Sequence, residues 1–200
     1  MKFIGEHPHG PTVINTYTGK WMDIAHPKAE SIDFRDIAHA LSNICRFVGH
    51  TSRFYSVAEH SIHCHDVAVS LVGCRCPVTA AVLLHDAAEA YMHDLCRAVK
   101  YQKEMVGYRV QLDALQELIE RTASEDIANA KIAHRSFIKF VDNGLLELEA
   151  SRLFSRTKGA SWNWNGQLPA KVSWLSWWWY NLPGNAERGF LARLRTYGII

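Results

Sequence analysis

Along most of this chain apolar residues recur at spacings of three and four, the pattern of amphipathic helices. The opening segment, through about Ala29, is instead rich in Pro, Gly and Thr. There, Thr12 to Tyr17 and Lys20 to Ile24, joined by Thr18-Gly19, predict a small hairpin or extended segment. Asp33 and Asp36 can cap a first helix carrying Ile37, Ala38, Leu41 and Ile44 on one side. A Gly/His/Ser loop (Gly49 to Arg53) precedes a helix from about Val57 to Leu71. Pro77 suits the first position of a helix reaching Tyr91. After a turn at Asp94 to Lys100, a long amphipathic helix is predicted over Gln102 to Ala123. Ser124 and Glu125 cap another, running to about Phe154. A loop of Gly, Asn and Trp spans Lys158 to Leu168, and a final helix around Asn185 to Tyr197 turns Phe190, Leu191 and Leu194 inward. No repeat, low-complexity tract or second domain interrupts this order. The expectation is one all-α helical bundle over residues 1–200, with a core at about 33–156 and an aromatic loop and helix at 157–200.

One apolar run is broken by chemistry. Ala80-Ala81-Val82-Leu83-Leu84 leads directly into His85-Asp86, then Ala87-Ala88-Glu89. A buried imidazole beside a carboxylate is costly unless paired or bound to a metal. On a continuous helix Glu89 would share a face with both. His60 in the preceding helix and Asp142 in a later one can reach the same point in an antiparallel bundle. Two imidazoles and two carboxylates suit a divalent transition ion such as zinc, cobalt or manganese. A plain buried His-carboxylate hydrogen bond is the bland alternative for His85-Asp86. Asp142 is also readable as a polar intrusion at a helix interface, and Glu89 as a salt-bridge partner for an arginine. His63 and His65 read as exposed or outer hydrogen-bonding residues, and His39, His50 and His93 as structural or rim residues. Arg53 fits either a phosphate or an acidic neighbour.

Composition narrows the function classes. The 200 residues are 48% hydrophobic and 21% charged, as in ordinary globular domains. A formal net charge of +2, without a basic run, argues against a nucleic-acid polymer or a membrane surface as partner. The five cysteines form no Cys-x-x-Cys pair and read as free thiols, with a structural zinc through Cys74 and Cys76 the minor reading. Met1 to Glu6 lack the apolar stretch of a signal peptide, and no run approaches membrane-spanning length, so a cytoplasmic protein is expected. Trp174, Trp177 and Trp178, at helical spacing, read as core or subunit interface. No Walker-type glycine loop is present, which excludes a P-loop mechanism.

The order His, His-Asp, Asp on a helical scaffold resembles the HD-domain phosphohydrolases. Ser56-Val57-Ala58-Glu59-His60-Ser61 is similar to that family's first-histidine segment. Leu83-Leu84-His85-Asp86-Ala87-Ala88-Glu89-Ala90 is similar to its second. Asp94-Leu95 and Val99-Lys100-Tyr101 resemble the following segment in its bacterial 5′-deoxynucleotidases. Thr16-Tyr17-Thr18-Gly19-Lys20 and Ala186-Glu187-Arg188-Gly189-Phe190-Leu191 look most like phage members, including dATP triphosphohydrolases. The resemblance implies that His60, His85, Asp86 and Asp142 hold the metal and that Glu89 orients or deprotonates the attacking water. It implies that Arg46 binds phosphate, that Phe47 lies near sugar or base, and that Asp94 senses the 3′-hydroxyl. Lys100 and Lys139 would reach phosphate oxygens, although Lys139 is equally readable as a solvated helix residue. The chain departs from the family at Phe47, where Trp is usual, and at Cys96-Arg97-Ala98, which replaces a Pro-containing turn. The function implied is removal of phosphate from deoxynucleotides, foremost dATP and also dADP and dAMP, to leave deoxyadenosine. The compartment implied is a host cytoplasm, and the assembly a homo-oligomer such as a hexamer. A 5′-deoxynucleotidase acting on monophosphates is the runner-up. An HD phosphodiesterase or nuclease, or a nucleotide sensor that keeps the metal without catalysis, stands further off.

Overall fold

The computed structural model describes residues 9–154, 168 and 180–200. The tryptophan cluster and most of the Gly/Asn/Trp loop predicted from the sequence lie outside them. Among the described residues the fold is helical, with one two-stranded antiparallel hairpin. The hairpin pairs β1 (Val13–Asn15) with β2 (Trp21–Asp23). It is fastened to the bundle by Thr18, whose backbone N–H and hydroxyl both donate to Asp36 at 2.6 and 2.9 Å.

Helix α1 (Phe34–Asn43) starts where Asp33 accepts a hydrogen bond from the Arg35 N–H, an N-cap as expected. Asp36 lies inside the first turn and serves the hairpin instead. Helix α2 (Val57–Val72) begins at Ser56, whose hydroxyl accepts from the Glu59 N–H, and ends at Gly73 in the left-handed conformation (φ 83°). It is central to the bundle and touches α1, α8, α9 and α3 (Pro77–Leu84). Its first nine residues are all buried, so even its polar positions face protein rather than water.

Two breaks depart from the sequence reading. The helix that begins at Pro77 does not continue to Tyr91. It stops at Leu84, passes through a turn at 85–88, and resumes as a single turn, α4 (Glu89–Met92). The helix capped by Ser124 is likewise two: α7 (Glu125–Ala133) and α8 (Arg135–Leu153), parted at His134. Neither break carries Gly or Pro, so local sequence does not announce it. The segment expected as a turn after Asp94 contains a short helix, α5 (Arg97–Lys100), followed by α6 (Val106–Ala123).

Helix α9 (Pro183–Thr196) packs on α1 and α2 through Ala186, Phe190 and Leu194. Leu191 is only half-buried. Gly189 permits close approach here: a Cβ would stand 2.5 Å from Cε1 of Tyr180 and 3.1 Å from Cδ1 of Ile62. Gly189→Ala is expected to cost about 1–3 kcal/mol of stability. The check is a lower urea midpoint at unchanged slope. No helix among the described residues is long and apolar enough to cross a membrane.

Candidate metal centre

Three elements converge on one point. His60 projects from α2, His85 and Asp86 from the turn after α3, and Asp142 from α8, and these helices pack on one another. His60 Nε2 lies 3.3 Å from His85 Nε2, 3.3 Å from Asp142 Oδ1 and 3.8 Å from Asp86 Oδ2. His85 Nε2 lies 3.2 Å from Asp86 Oδ2 and 3.9 Å from Asp142 Oδ1. Four donors each about 2.1 Å from a shared centre would stand roughly 3.4 Å apart in a tetrahedron. The observed spacings match that figure. The Cys64 thiol, one turn after His60, completes a His60-Cys64-His85 group able to hold a metal ion, its ligand atoms all within 4.8 Å of one another. Its sulfur is nearly equidistant from the two nitrogens of His60, at 3.5 and 3.9 Å, so it lies beside the ring rather than along the Nε2 lone pair.

Both imidazoles are held in the tautomer a metal requires. His85 Nδ1 is 2.7 Å from the Val82 carbonyl, which accepts only from N–H, so Nε2 faces the cluster. His60 Nδ1 is 2.5 Å from Glu149 Oε1, with the same consequence. Glu149 is 0% exposed, accepts from the Tyr55 hydroxyl at 2.7 Å, and faces the Arg46 guanidinium at 3.4 Å. Burial would raise its carboxyl, but His60 and Arg46 hold it below its ordinary value. Burial is overridden in the same way at Asp86, where His85 keeps the carboxyl well below the usual range, and at Asp142, where His60 and His85 do so. Without an ion the two carboxylates on the cavity wall thus have His60 and His85 as counter-charges, and the same pairing holds both imidazoles well above their ordinary value; a bound cation would take over that role.

Behind Glu149, the Tyr55 hydroxyl is also 3.1 Å from His63 Nδ1. Burial pushes the His63 imidazole down to about 4, whereas in the unfolded chain it titrates near ~6.5. Between those values the unfolded chain binds a proton that the fold refuses. Stability from this residue is therefore complete above about pH 6.5 and is lost as pH falls toward 4, by about 3 kcal/mol in all. Chemical denaturation across that window should show a flatter acid limb for His63→Gln than for the wild-type chain; equal slopes would contradict it.

The cluster opens on a cavity of about 800 Å³. Glu89 lines it while only 3% exposed. Its Oε1 accepts from Lys100 Nζ at 2.7 Å, and its Oε2 is buried with no partner among the described residues. Burial, then the charges of Asp86 and Asp94, push the Glu89 carboxyl up to about 8 against the pull of Lys100. Arg46, Phe47, Asp94, Lys100 and Lys139 all line the same cavity. Arg46 is 8% exposed and engaged from behind, its Nη1 3.6 Å from Asp86 Oδ2. Phe47 and Val48 both adopt left-handed φ (56° and 55°), costly for residues with a Cβ, and this places them at the cavity lip. Lys139 is exposed on α8.

No family model matches the chain. YfdR, an uncharacterized protein of Escherichia coli (strain K12), is 39% identical over 87 residues, 44% of this chain and 46% of YfdR. An uncharacterized protein of Rhodobacter capsulatus is 36% identical over 86 residues, 42% of this chain and 44% of its own length. The chain thus spans less than half the length of either relative.

The remaining sequence candidates fall outside the centre. Arg53 pairs with Glu59 through two hydrogen bonds (3.0 and 2.7 Å), the acidic-neighbour alternative. His39 meets Glu187 at 3.1 Å and stacks on Tyr17. His63 and His65 are buried and hydrogen-bonded rather than exposed. Sequence reasoning missed Glu149, although it stands seven residues after Asp142 on the same face of α8. It also missed Arg109, Lys131 and Arg135; with Arg46, Arg97, Lys100 and Lys139 they make seven cations around the cavity among the described residues. Arg135 was findable: it precedes Lys139 by four residues and Asp142 by seven, again one helix face.

Proposed function

We propose that this chain is a metal-dependent phosphohydrolase of the HD-domain type that removes phosphate from deoxynucleotides, with dATP the leading substrate and dADP and dAMP also used. The observation that carries the reading is the unpartnered Glu89 Oε2 beside a four-donor cluster in a cation-lined cavity. A buried carboxylate oxygen left without a protein partner is a place for water or substrate. His60, His85, Asp86 and Asp142 would hold a zinc, cobalt or manganese ion, which supplies Lewis acidity toward a phosphoryl oxygen and toward water.

The protein's own groups do the rest. Lys100 fixes Glu89 Oε1, which aims Oε2 at the water that attacks phosphorus, and Glu89 takes up the water's proton. The bond between the 5′ oxygen and phosphorus breaks, and the 5′ oxygen leaves with a proton as the nucleoside hydroxyl. Cations on the cavity wall, Lys139 and Arg135 among them, stabilise charge on the departing phosphate. Phe47 would rest against sugar or base, and Asp94 would accept from a 3′-hydroxyl.

The second reading, a 5′-deoxynucleotidase acting on monophosphates, draws on a specific observation. Lys100 is already bound to Glu89, Lys131 to Glu120 and Arg46 to Asp86 and Glu149, which leaves fewer cations for a long phosphate chain. The test is a panel of the four deoxynucleotides as mono-, di- and triphosphates, with cobalt, zinc, manganese and magnesium added separately. Selective conversion of dATP to deoxyadenosine supports the first reading, and turnover of monophosphates alone supports the second. If no nucleotide is consumed with any metal, both fail.

A further inference from the structure

The turn that carries His85 and Asp86 is held only in part by its own backbone, through bonds such as Ala87 N–H to the Leu84 carbonyl at 2.9 Å. At 85–88 the regular helix is interrupted, which leaves backbone groups in the interior that need partners from elsewhere. Gln116, on α6, provides two of them. Its Oε1 accepts from the Ala88 N–H at 2.9 Å, and its Nε2 donates to the Leu84 carbonyl at 2.7 Å. One amide therefore closes both ends of the turn, from the last residue of α3 to the residue before Glu89. Nε2 also donates to Glu120 Oε1 at 2.6 Å, and Glu120 is paired with Lys131 at 2.7 Å. Gln116 is 5% exposed and Glu120 2%, so water does not stand in for either.

A glutamine is the side chain this geometry requires. It must accept at one end and donate at the other, and its donor must have two hydrogens to serve Leu84 and Glu120 together. A carboxylate would lose both donations, and an apolar residue would leave the buried Ala88 N–H without its acceptor while Leu84 kept only its bond from the Ala87 N–H and Glu120 only its pairing with Lys131. Spacing also matters: the turn separates His85 and Asp86 from the helical register, yet Asp86 Oδ2 still stands 3.2 Å from His85 Nε2 and 3.8 Å from His60 Nε2.

We propose that Gln116 is the positioning residue of the metal centre: by clamping Leu84 and Ala88 it sets the turn that presents His85 and Asp86 as a ligand pair. The proposal rests on the reading that these two residues bind metal. Gln116 also borders the cavity, but its hydrogen bonds go to the turn and to Glu120, and the role proposed runs through the backbone of the turn.

The test is cobalt binding to the full chain, followed by visible d–d absorption and by calorimetry. Gln116→Leu should bind Co²⁺ at least roughly tenfold more weakly than wild type, as loss of an outer partner does at other sites, and its d–d spectrum should change shape. A control, Leu41→Ala, removes a buried side chain on α1 that belongs to neither the turn nor the cavity lining and lowers stability; it should keep wild-type affinity and spectrum. If Gln116→Leu does not fold, Gln116→Glu keeps the acceptor for Ala88 and should show the same direction of change. Wild-type affinity and spectrum in the folded Gln116 variant would overturn the proposal, as would equal weakening in Leu41→Ala. Asp142→Ala separates the two claims. If it and wild type bind Co²⁺ equally, or neither binds, the metal reading fails and the proposal falls with it. If only Asp142→Ala loses the ion while Gln116→Leu keeps it, the metal reading survives and the proposal alone is lost.

Discussion

Asp142→Ala is expected to abolish tight binding of a divalent transition ion. The Asp142 Oδ1 atom stands 3.3 Å from His60 Nε2 and 3.9 Å from His85 Nε2, so it is one of four donors around a shared centre. Its removal leaves three, with His60 and His85 deprived of a carboxylate that draws a cation toward them. Loss of a direct ligand should exceed the roughly 10–100-fold that an outer partner costs. Isothermal titration with Zn²⁺ or Co²⁺ reads the effect, and the fold should persist because Asp142 is on the cavity wall rather than in the apolar core. Wild-type affinity in this variant would remove Asp142 from the ligand set.

Glu89→Gln should separate binding from chemistry. The variant keeps the shape of the side chain but has no carboxylate to take the water's proton. Metal affinity should stay within a few-fold of wild type, while phosphate release from deoxynucleotides falls by roughly 10²–10⁴-fold, the usual worth of a general base. The environment supports this role: burial and the charges of Asp86 and Asp94 raise the Glu89 carboxyl to about 8. A cation seated beside it would draw that value down toward neutrality, where a general base is most effective. The rate should rise with pH as Glu89 ionises, and that limb should be absent in Glu89→Gln. Unchanged turnover would take Glu89 out of the mechanism and favour a site that binds without hydrolysing.

The residues of the cluster were legible from the chain because their chemistry contradicts their surroundings. His85-Asp86 interrupts an apolar run, and Asp142 follows Phe140-Val141 in another. The caps at Asp33 and Ser124 were legible for a similar reason, since their side chains act on backbone two residues away. The breaks at 85–88 and at His134 were not legible, because no local residue makes them. The first is completed by Gln116, some thirty residues downstream, and a tertiary hydrogen bond leaves no periodic trace in sequence. Glu149 was hidden in another way. Within Leu145 to Ala150 it alternates with Glu147 and reads as an ordinary helical carboxylate, yet it is 0% exposed and grips His60. Its spacing from Asp142 was the available signal. The added cations, Arg109, Lys131 and Arg135, come from three helices and share no motif; only the cavity unites them.

The central claim is that a single ion held by His60, His85, Asp86 and Asp142 makes this chain a deoxynucleotide phosphohydrolase. Its most direct test is to strip the protein of metal, return Co²⁺ or Zn²⁺ in steps, and measure bound metal and phosphate release from deoxynucleotides on the same samples. The account predicts release that rises in proportion to bound metal and saturates at a single ion per chain. Full occupancy with no phosphate released from any deoxynucleotide, or equal release from the stripped protein, would contradict it.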